Sequence, residues 1–280
     1  MPYAPVNGIE IYYEDNGKGF PVVFAHGAGG NHLSWWQQVP ECARHHRVIT
    51  FDHRAWGLTL DTDDRGPAAF IDDLRALLDY LEIEEAVLIG QSMGGLTCLG
   101  LALASPERVR GLVMANTFAG MRREVWLAAS EDQRAEVRVV WEKRRNGGIK
   151  RALAPEFSKK HRERAFLYKQ IRMLNEDGPN RLQTAHQVQR LRALERVPDI
   201  GASKENLAAL SMPVLFIGGE YDEVMPVSLM EIAHSFIPTS RMVVVPGTAH
   251  SVYFETPELF TQVTLDFAKS CLEAPKPAAM

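Results

Sequence analysis

Short apolar runs alternate with longer amphipathic stretches over residues 1–117 and again after residue 210. The runs with the length and composition of buried strands are 9–13, 22–25, 48–51, 86–90, 112–115, 214–218 and 242–245. The stretches that predict helices are 32–44, 67–82, 93–104, 227–236 and 257–271. In the second of these stretches, apolar residues recur three and four positions apart, as on one face of a helix. Strands that alternate with helices predict an α/β fold with a mostly parallel sheet and helices on both faces.

The alternation stops between residues 118 and 210, where the pattern is helical throughout. This segment has 20 Lys and Arg against 12 Asp and Glu, although the whole chain has 31 and 35 and a net charge of −4. Such charge asymmetry is typical of a separate structural unit. We therefore predict a helical cap over 118–210, a core of 1–117 and 211–272, and a disordered tail over 273–280. The basic surface either attracts anionic substrates or is only a solvated face, and we favour the second interpretation.

Candidate chemistry begins at Ser92, which lies in a Gly-x-Ser-x-Gly motif at residues 90–94. A strand pattern ends just before this serine, and a helical pattern follows at once. In that context the serine occupies a tight turn that exposes its hydroxyl oxygen. The glycines are needed because the strand and the helix approach each other too closely for a Cβ atom. We predict that Ser92 is a nucleophile.

A serine hydroxyl needs a base, and the base needs an orienting acid. Asp222 and His250 each follow a strand pattern, so both are expected at the carboxyl edge of the sheet. The order serine, acid, histidine along the chain is that of Gly-x-Ser-x-Gly hydrolases. Glu220 and Glu223 are alternatives for the acid, but Asp222 has the better position within Gly-Gly-x-x-Asp-x-x-x-Pro. We predict that His250 is the general base and that Asp222 orients it.

Two backbone N–H groups are expected to stabilise an oxyanion. Met93 supplies one of them as the residue after the nucleophile, and the loop after the run 22–25 supplies the other, which we assign to Ala28. The sequence of this loop, His-Gly-Ala-Gly-Gly, also suggests a phosphate-binding loop. It lacks the third glycine of Gly-x-Gly-x-x-Gly, so a nucleotide-binding function is disfavoured.

Together these residues resemble the α/β-hydrolase superfamily, from the strand before His26 to the helix after His250. The sequence Ser-Met-Gly-Gly at 92–95, with Ser-Pro-Glu-Arg-Val at 105–109, resembles the branch of 3-oxoadipate enol-lactonases, small esterases and ring-cleavage C–C hydrolases. The resemblance implies a helical lid inserted after the sixth strand of that fold.

The segment at residues 52–59 departs from the pattern of this branch. Its members commonly carry Asp-x-Arg-Gly-x-Gly-x-Ser after the fourth strand, whereas this chain reads Asp-His-Arg-Ala-Trp-Gly-Leu-Thr. Ala55 replaces a glycine, Thr59 replaces a serine, and Trp56 adds a bulky side chain. Either these residues narrow the substrate pocket or they only repack the loop.

Four tryptophans are candidate substrate contacts. Trp35 and Trp36 follow the loop of Ala28 closely, and Trp126 and Trp141 lie in the predicted cap. Burial in the first helix is the alternative for Trp35 and Trp36, and ordinary packing within the cap is the alternative for the other two.

Composition excludes several other classes of function. No apolar stretch approaches the ~20 residues of a membrane span, and the first residues lack the charged and apolar regions of a signal peptide. The three cysteines, Cys42, Cys98 and Cys271, form no Cys-x-x-Cys and are expected to stay reduced. We expect a cytoplasmic monomer or homodimer that binds a small molecule, without nucleic acid, membrane, metal or cofactor.

The predicted reaction is hydrolysis of a carboxylic ester or lactone through an acyl-enzyme on Ser92. A C–C hydrolase that acts on a vinylogous diketone would use the same three residues. Cofactor-free perhydrolase or haloperoxidase activity and a hydrolase-derived receptor for a small molecule are further alternatives. The fold alone does not decide among them.

Overall fold

A computed structural model describes residues 2–118, 120, 122–145, 152–178, 180–193 and 198–274. One sheet contains the strands β1 (Tyr3–Val6), β2 (Ile9–Gly17), β3 (Pro21–Ala25), β4 (Arg47–Phe51), β5 (Ala86–Gln91), β6 (Val109–Ala115), β7 (Val214–Gly219) and β8 (Ser240–Val245). Their order across the sheet is β1-β2-β4-β3-β5-β6-β7-β8. Neighbours from β4 to β8 are parallel, whereas β1–β2 and β2–β4 are antiparallel. The predicted α/β fold with a mostly parallel sheet is confirmed.

The helices within the described residues fall before, between and after these strands. They are α1 (Val39–Cys42), α2 (Phe70–Tyr80), α3 (Met93–Ala104), α4 (Arg123–Ala128), α5 (Glu131–Arg145), α6 (Pro155–Lys160), α7 (Arg162–Glu176), α8 (Arg181–Ala193), α9 (Lys204–Ala208), α10 (Val227–Ser235), α11 (Val252–Glu255) and α12 (Pro257–Glu273). Single 3-10 turns occur at His32–Trp35, Gly66–Ala69 and Pro106–Arg108.

The prediction of one helix over residues 32–44 is wrong. A 3-10 turn capped by the Asn31 side chain is followed by the short helix α1, which has Pro40 in its first turn. Proline is disfavoured inside a helix because it lacks an N–H donor and clashes with the preceding turn, so the chain starts a new helix there. Strand β1 was not predicted, and its four residues extend the antiparallel edge of the sheet.

Both faces of the sheet are covered by apolar helices, as predicted. Alternate residues of β5 point to opposite faces, with Leu88 in one apolar cluster and Val87 and Ile89 in another. Residues of α2, α3 and α10 complete the first cluster, and residues of α1, α11 and α12 complete the second. Because strands β3 to β8 are parallel, their carboxyl ends lie at one edge of this covered sheet.

Helices α4 to α9 occupy the chain between β6 and β7, and their described parts bond to loops at that edge. Asn175 on α7 donates to the carbonyl of Gly30 and accepts from the N–H of Gly57, both at 2.9 Å. The N–H of Ala154, just before α6, donates to the carboxylate of Glu255 at 2.8 Å. The boundaries 118–210 of the predicted cap stay a prediction, and residues 275–280 of the predicted tail lie outside the described residues.

Candidate active site

Ser92 occupies the sharp turn between β5 and α3. Its backbone has φ 50° and ψ −113°, a conformation that L-amino acids other than glycine rarely adopt. The turn is fixed by neighbouring elements, since the Ser92 N–H donates to the carbonyl of Ala115 at 2.9 Å and the Thr117 hydroxyl donates to the Ser92 carbonyl at 2.8 Å. The strained backbone is therefore held by β6 and the residues after it.

The glycines of the motif permit close contacts that a side chain would prevent. A Cβ on Gly94 would overlap the carbonyl oxygen of Ala25, the last residue of β3. A Cβ on Gly90 would lie 2.6 Å from the carbonyl oxygen of Gly94. The reason inferred from the sequence, that strand and helix approach each other too closely for a Cβ, is the one that the structure gives.

Asp222 and His250 contact each other directly at the carboxyl ends of β7 and β8. Nδ1 of His250 lies 2.9 Å from Oδ2 and 3.1 Å from Oδ1 of Asp222. Both residues are buried, with 4% of Asp222 and 8% of His250 exposed. The carboxylate also accepts from the N–H groups of Val224 and Met225, at 2.8 and 2.9 Å. Contacts on several sides therefore hold the Asp222 carboxylate in one orientation.

Glu220, the alternative acid, lies elsewhere. Its carboxylate accepts from the N–H of Gly247 at 2.9 Å on an exposed surface, and no bond to His250 is present. Glu223 is exposed as well and has no bond to His250. The contact with the histidine is therefore made by Asp222.

Gln91 connects the histidine loop to the serine turn. It is the residue before Ser92, and its Nε2 donates to the main-chain carbonyl of His250 at 3.0 Å. The bond is buried, and it brings Ser92 and His250 to the same region of the sheet edge. Gln91 is a variable position of the Gly-x-Ser-x-Gly motif, so the sequence did not predict this contact.

The loop after β3 faces Ser92. Residues 27–30 form a turn closed by a bond of 2.9 Å from the Gly30 N–H to the Gly27 carbonyl. A Cβ on Gly27 would lie 3.2 Å from Cβ of Ser92. The N–H of Ala28 donates to no group among residues 2–118 or the other described parts of the chain. Met93 begins α3, where the first N–H groups have no acceptor within the helix.

Asn116 is a site residue that the sequence analysis missed. It is buried, has φ 49°, and follows β6 directly. Its Nδ2 donates to Oδ2 of Asp222 at 2.9 Å and to the carbonyl of Ala249 at 3.1 Å. The signal was present in the sequence, because Asn116 is a polar residue just after a strand pattern, like Asp222 and His250.

Glu255 is a second missed residue, and it joins two segments. One carboxylate oxygen accepts from the N–H of Ala249, next to His250, at 2.9 Å, and the other accepts from the N–H of Ala154 at 2.8 Å. Burial raises the pKa of this carboxyl group, and the N–H donors oppose that shift. Glu255 thereby links the helical segment between β6 and β7 to the histidine loop.

Arg172 on α7 lies beside the loop of Ala28. Its Cζ would be 3.1 Å from a Cβ on Gly29, and it lies 5.8 Å from the ring centre of Tyr168. The Tyr168 hydroxyl is 2.8 Å from Oγ of Ser251, the residue after His250. No Asp or Glu in the described residues forms an ion pair with Arg172. This guanidinium is therefore a partly buried cation at the rim of the site.

The four tryptophans lie in different environments. Trp35 has no exposed surface and packs against Phe24, Tyr253 and Phe260 in the core, so we leave it out of the proposed substrate pocket. Trp36 is 43% exposed, and Trp126 is partly buried against the core. The side chain of Trp141 lies outside the described residues. Substrate contact by Trp36, Trp126 or Trp141 stays a prediction.

In the described part of the chain, no group of three or more His, Cys, Asp or Glu is placed to hold a metal ion. None of the helices in that part is long and apolar enough to cross a membrane. Cys42, Cys98 and Cys271 are all buried free thiols.

Comparison with known proteins gives the family. The sequence profile of the alpha/beta hydrolase fold matches residues 21–257. The chain belongs to this family. A candidate carbamate hydrolase, RutD, of Azorhizobium caulinodans is 30% identical over 95% of this chain and 98% of its own length. A 3-oxoadipate enol-lactonase of Acinetobacter baylyi is 28% identical over 89% of this chain and 88% of its own length.

A solved structure supports the same family. A thermophilic esterase of Thermogutta terrifontis, determined with malate bound, superposes with a TM-score of 0.74 and 28% identity over 95% of this chain and 96% of its own. The resemblance to enol-lactonases and small esterases that the motifs indicated is thus confirmed for this α/β hydrolase.

Proposed function

We propose that this α/β hydrolase cleaves a carboxylic ester or lactone through an acyl-enzyme on Ser92. The observation that carries the proposal is the buried pair of His250 and Asp222, bonded at 2.9 Å and joined through Gln91 to the strained serine turn. This combination supplies a nucleophile, a base and an orienting carboxylate in the chain order of the family. Relatives that are named as an enol-lactonase and an esterase support the same class of reaction.

The proposed mechanism has two halves. Oγ of Ser92 attacks the carbonyl carbon while Nε2 of His250 takes the hydroxyl proton, and Asp222 holds Nδ1–H. The oxyanion accepts from the N–H groups of Ala28 and Met93. The intermediate then expels the alkoxide, which receives the proton from His250. In the second half, His250 deprotonates a water that attacks the acyl-enzyme, and Ser92 regains its proton as the acid leaves.

We further propose that the substrate carries a carboxylate. Arg172 supports this, because a partly buried guanidinium without an acidic partner among the described residues is suited to bind an anion. This revises the preference for a merely solvated basic surface. A C–C hydrolase acting on an anionic vinylogous diketone would also use Arg172, and it remains the second candidate.

Hydrolysis of a p-nitrophenyl ester series by wild type and Ser92→Ala tests the reaction. We expect the substitution to lower kcat by about 10⁴-fold or more. Ser105→Ala, at the other end of α3, is the matched control and should retain activity. Substantial turnover in Ser92→Ala would contradict the proposal. If the wild-type protein is inactive on esters, lactones and carbamates but active on a vinylogous diketone, the result would favour C–C hydrolysis.

A matched substrate pair tests the carboxylate. The p-nitrophenyl monoester of adipic acid is compared with the neutral p-nitrophenyl hexanoate. We expect Arg172→Met to lower kcat/KM for the anionic ester roughly 10–100-fold, the value of a hydrogen bond to a charged group, and to change the neutral ester little. Lys169→Met removes one exposed charge from the same helix and should affect neither. Equal responses of the two esters to Arg172→Met would exclude this anion site.

A further inference from the structure

Trp56 has no part in the mechanism proposed above, although it places a large side chain at a variable position of the loop after β4. Its indole is fully buried, and Nε1–H donates to the carbonyl oxygen of Ala28 at 2.9 Å. An indole nitrogen is a donor only, and a buried one usually finds an acceptor. The bond therefore fixes the peptide on the carboxyl side of Ala28.

The peptide on the amino side of Ala28 is fixed as well. The carbonyl oxygen of Gly27 accepts from the Gly30 N–H at 2.9 Å and lies 2.8 Å from Nδ1 of His26. Because a peptide unit is planar, the direction of the Gly27 carbonyl also sets the direction of the Ala28 N–H. Bonds on both sides of Ala28 thus leave this N–H little freedom to turn.

The protonation of His26 follows from its neighbours. Nε2 of His26 accepts from the backbone N–H of His53 at 3.0 Å, so the proton of the neutral ring is on Nδ1, which donates to Gly27. Burial lowers the pKa of His26 to about 4, which keeps the ring neutral near pH 7. On the other side, Nε2 of His53 is 2.9 Å from the Thr97 hydroxyl on α3.

His53 and Trp56 belong to the same loop, which is itself firmly held. Between them, Arg54 is fully buried and pairs with Asp61 at 2.9 Å and Asp73 at 2.6 Å. Trp56 also shares a small apolar cluster with Met93, and Ala28 packs against that cluster. The loop after β4 therefore contacts both residues whose N–H groups are proposed to bind the oxyanion.

We infer that Trp56 is a positioning residue for the oxyanion hole, which holds the Ala28 peptide through its indole N–H. His53 supports the preceding peptide, between Gly27 and Ala28, through His26. The inference rests on the proposed function, because it requires an oxyanion at this place. Since the Ala28 N–H binds charge that develops during the reaction, loss of its alignment should lower kcat more than it raises KM.

The test compares two buried tryptophans, of which only Trp56 donates an indole hydrogen bond to the described residues. Trp56→Phe removes the N–H that binds Ala28, whereas Trp35→Phe removes an N–H that has no partner within the described residues. Kinetics on p-nitrophenyl butyrate are combined with the affinity for a trifluoromethyl ketone, whose adduct with serine places an oxyanion in the hole. The matching methyl ketone, which stays a ketone, reports ground-state binding.

We expect Trp56→Phe to lower kcat about tenfold, less than the roughly 10²–10³-fold cost of losing an oxyanion donor outright. The dissociation constant of the trifluoromethyl ketone should rise by the same factor. KM, the affinity for the methyl ketone and every value for Trp35→Phe should stay within about twofold. If Trp56→Phe behaves like Trp35→Phe, or if it raises KM and leaves kcat unchanged, the inference is wrong.

Two controls separate this inference from the proposed function and from misfolding. Turnover that survives in Ser92→Ala would refute the proposed function and this inference with it, whereas an inactive Ser92→Ala beside an unaffected Trp56→Phe would refute the inference alone. If Trp56→Phe does not fold, 3-benzothienylalanine at position 56 replaces N–H by sulfur and keeps the ring shape. The same loss is expected there, and wild-type kinetics would overturn the inference.

Discussion

The two proposed oxyanion donors are held in different ways. The N–H of Met93 belongs to a turn whose shape comes from adjacent residues, namely the strained Ser92 and the flanking glycines. The N–H of Ala28 belongs to a loop whose carbonyl groups are bound by side chains, one of them Trp56, 28 residues further along the chain. The first donor depends on a backbone turn that β3 and β6 contact directly, and the second depends on side chains that reach its loop from elsewhere in the chain. Substitutions should therefore affect the two halves of the site differently.

The largest contrast is expected between two glycines. Gly94→Ala would place a Cβ against the carbonyl of Ala25, where backbone must move, and we expect it to reduce the free energy of unfolding by about 3 kcal/mol or more. In Gly29→Ala the atoms nearest to the new Cβ, at 3.1–3.4 Å, belong to the end of the Arg172 side chain, which can shift, so the substitution should cost less than about 1 kcal/mol. Urea unfolding measures both. Equal losses of unfolding free energy in the two variants would contradict the expectation that backbone yields less than a side chain.

The local half of the site could be predicted from the sequence, and so could most of the fold. The seven apolar runs correspond to strands β2 to β8. The parallel strands β3 to β8 were found because buried parallel strands are continuous apolar segments. Ser92, Asp222 and His250 were located by motif, chain order and position after a strand. Each of these signals is local in the sequence.

The distant half could not be predicted in the same way. Nothing in the residues near Trp56 indicates that its indole reaches Ala28, because that bond depends on how two loops pack. The helix expected over 32–44 failed for a local reason, since Pro40 starts a new helix and the apolar periodicity does not show that break. Asn116 was overlooked although its place after β6 was informative.

Asn116→Gly tests the support of the acid. Glycine tolerates φ 49°, so the substitution removes the amide without straining the backbone. Loss of a hydrogen bond to the charged Asp222 should lower kcat roughly 10–100-fold. Glu82→Gly, at φ 54° in the exposed turn between α2 and β5, is the control and should keep full activity. Steady-state kinetics of both variants would expose a general effect of glycine.

The buried histidine pair makes stability depend on pH. Burial lowers the pKa of His26 to about 4 and that of His53 well below its usual value, so both are neutral when folded and gain protons on unfolding below about pH 6.5. Stability is thus full above pH 6.5 and is lost as pH falls towards 4.

His53→Gln removes one of the two side chains that gain a proton on unfolding. Between pH 6.5 and 4.5, the slope of unfolding free energy against pH should fall by up to about 1.4 kcal/mol per pH unit relative to wild type. Urea titrations at several pH values give both slopes. Parallel lines for the variant and wild type would show that His53 does not titrate in this way.

The smallest effect is expected at Ala55, a non-glycine residue with φ 67°. Ala55→Gly relieves backbone strain of roughly 1 kcal/mol, but it also removes a fully buried methyl group that contributes about 0.8 kcal/mol. The two terms nearly cancel, so the substitution should change the free energy of unfolding, measured by thermal unfolding, by less than about 1 kcal/mol. A loss above 2 kcal/mol would mean that the methyl group is essential to the loop of Trp56.

The most direct measurement of the proposed chemistry is covalent trapping with a fluorophosphonate, followed by intact-protein and peptide mass spectrometry. Fluorophosphonates react with serines that are activated by a base beside an oxyanion hole. We expect one adduct per chain, on the peptide that contains Ser92, with labelling abolished in Ser92→Ala and strongly slowed in His250→Ala. A folded wild type that is not labelled, or is labelled on another residue, would contradict Ser92 as the nucleophile.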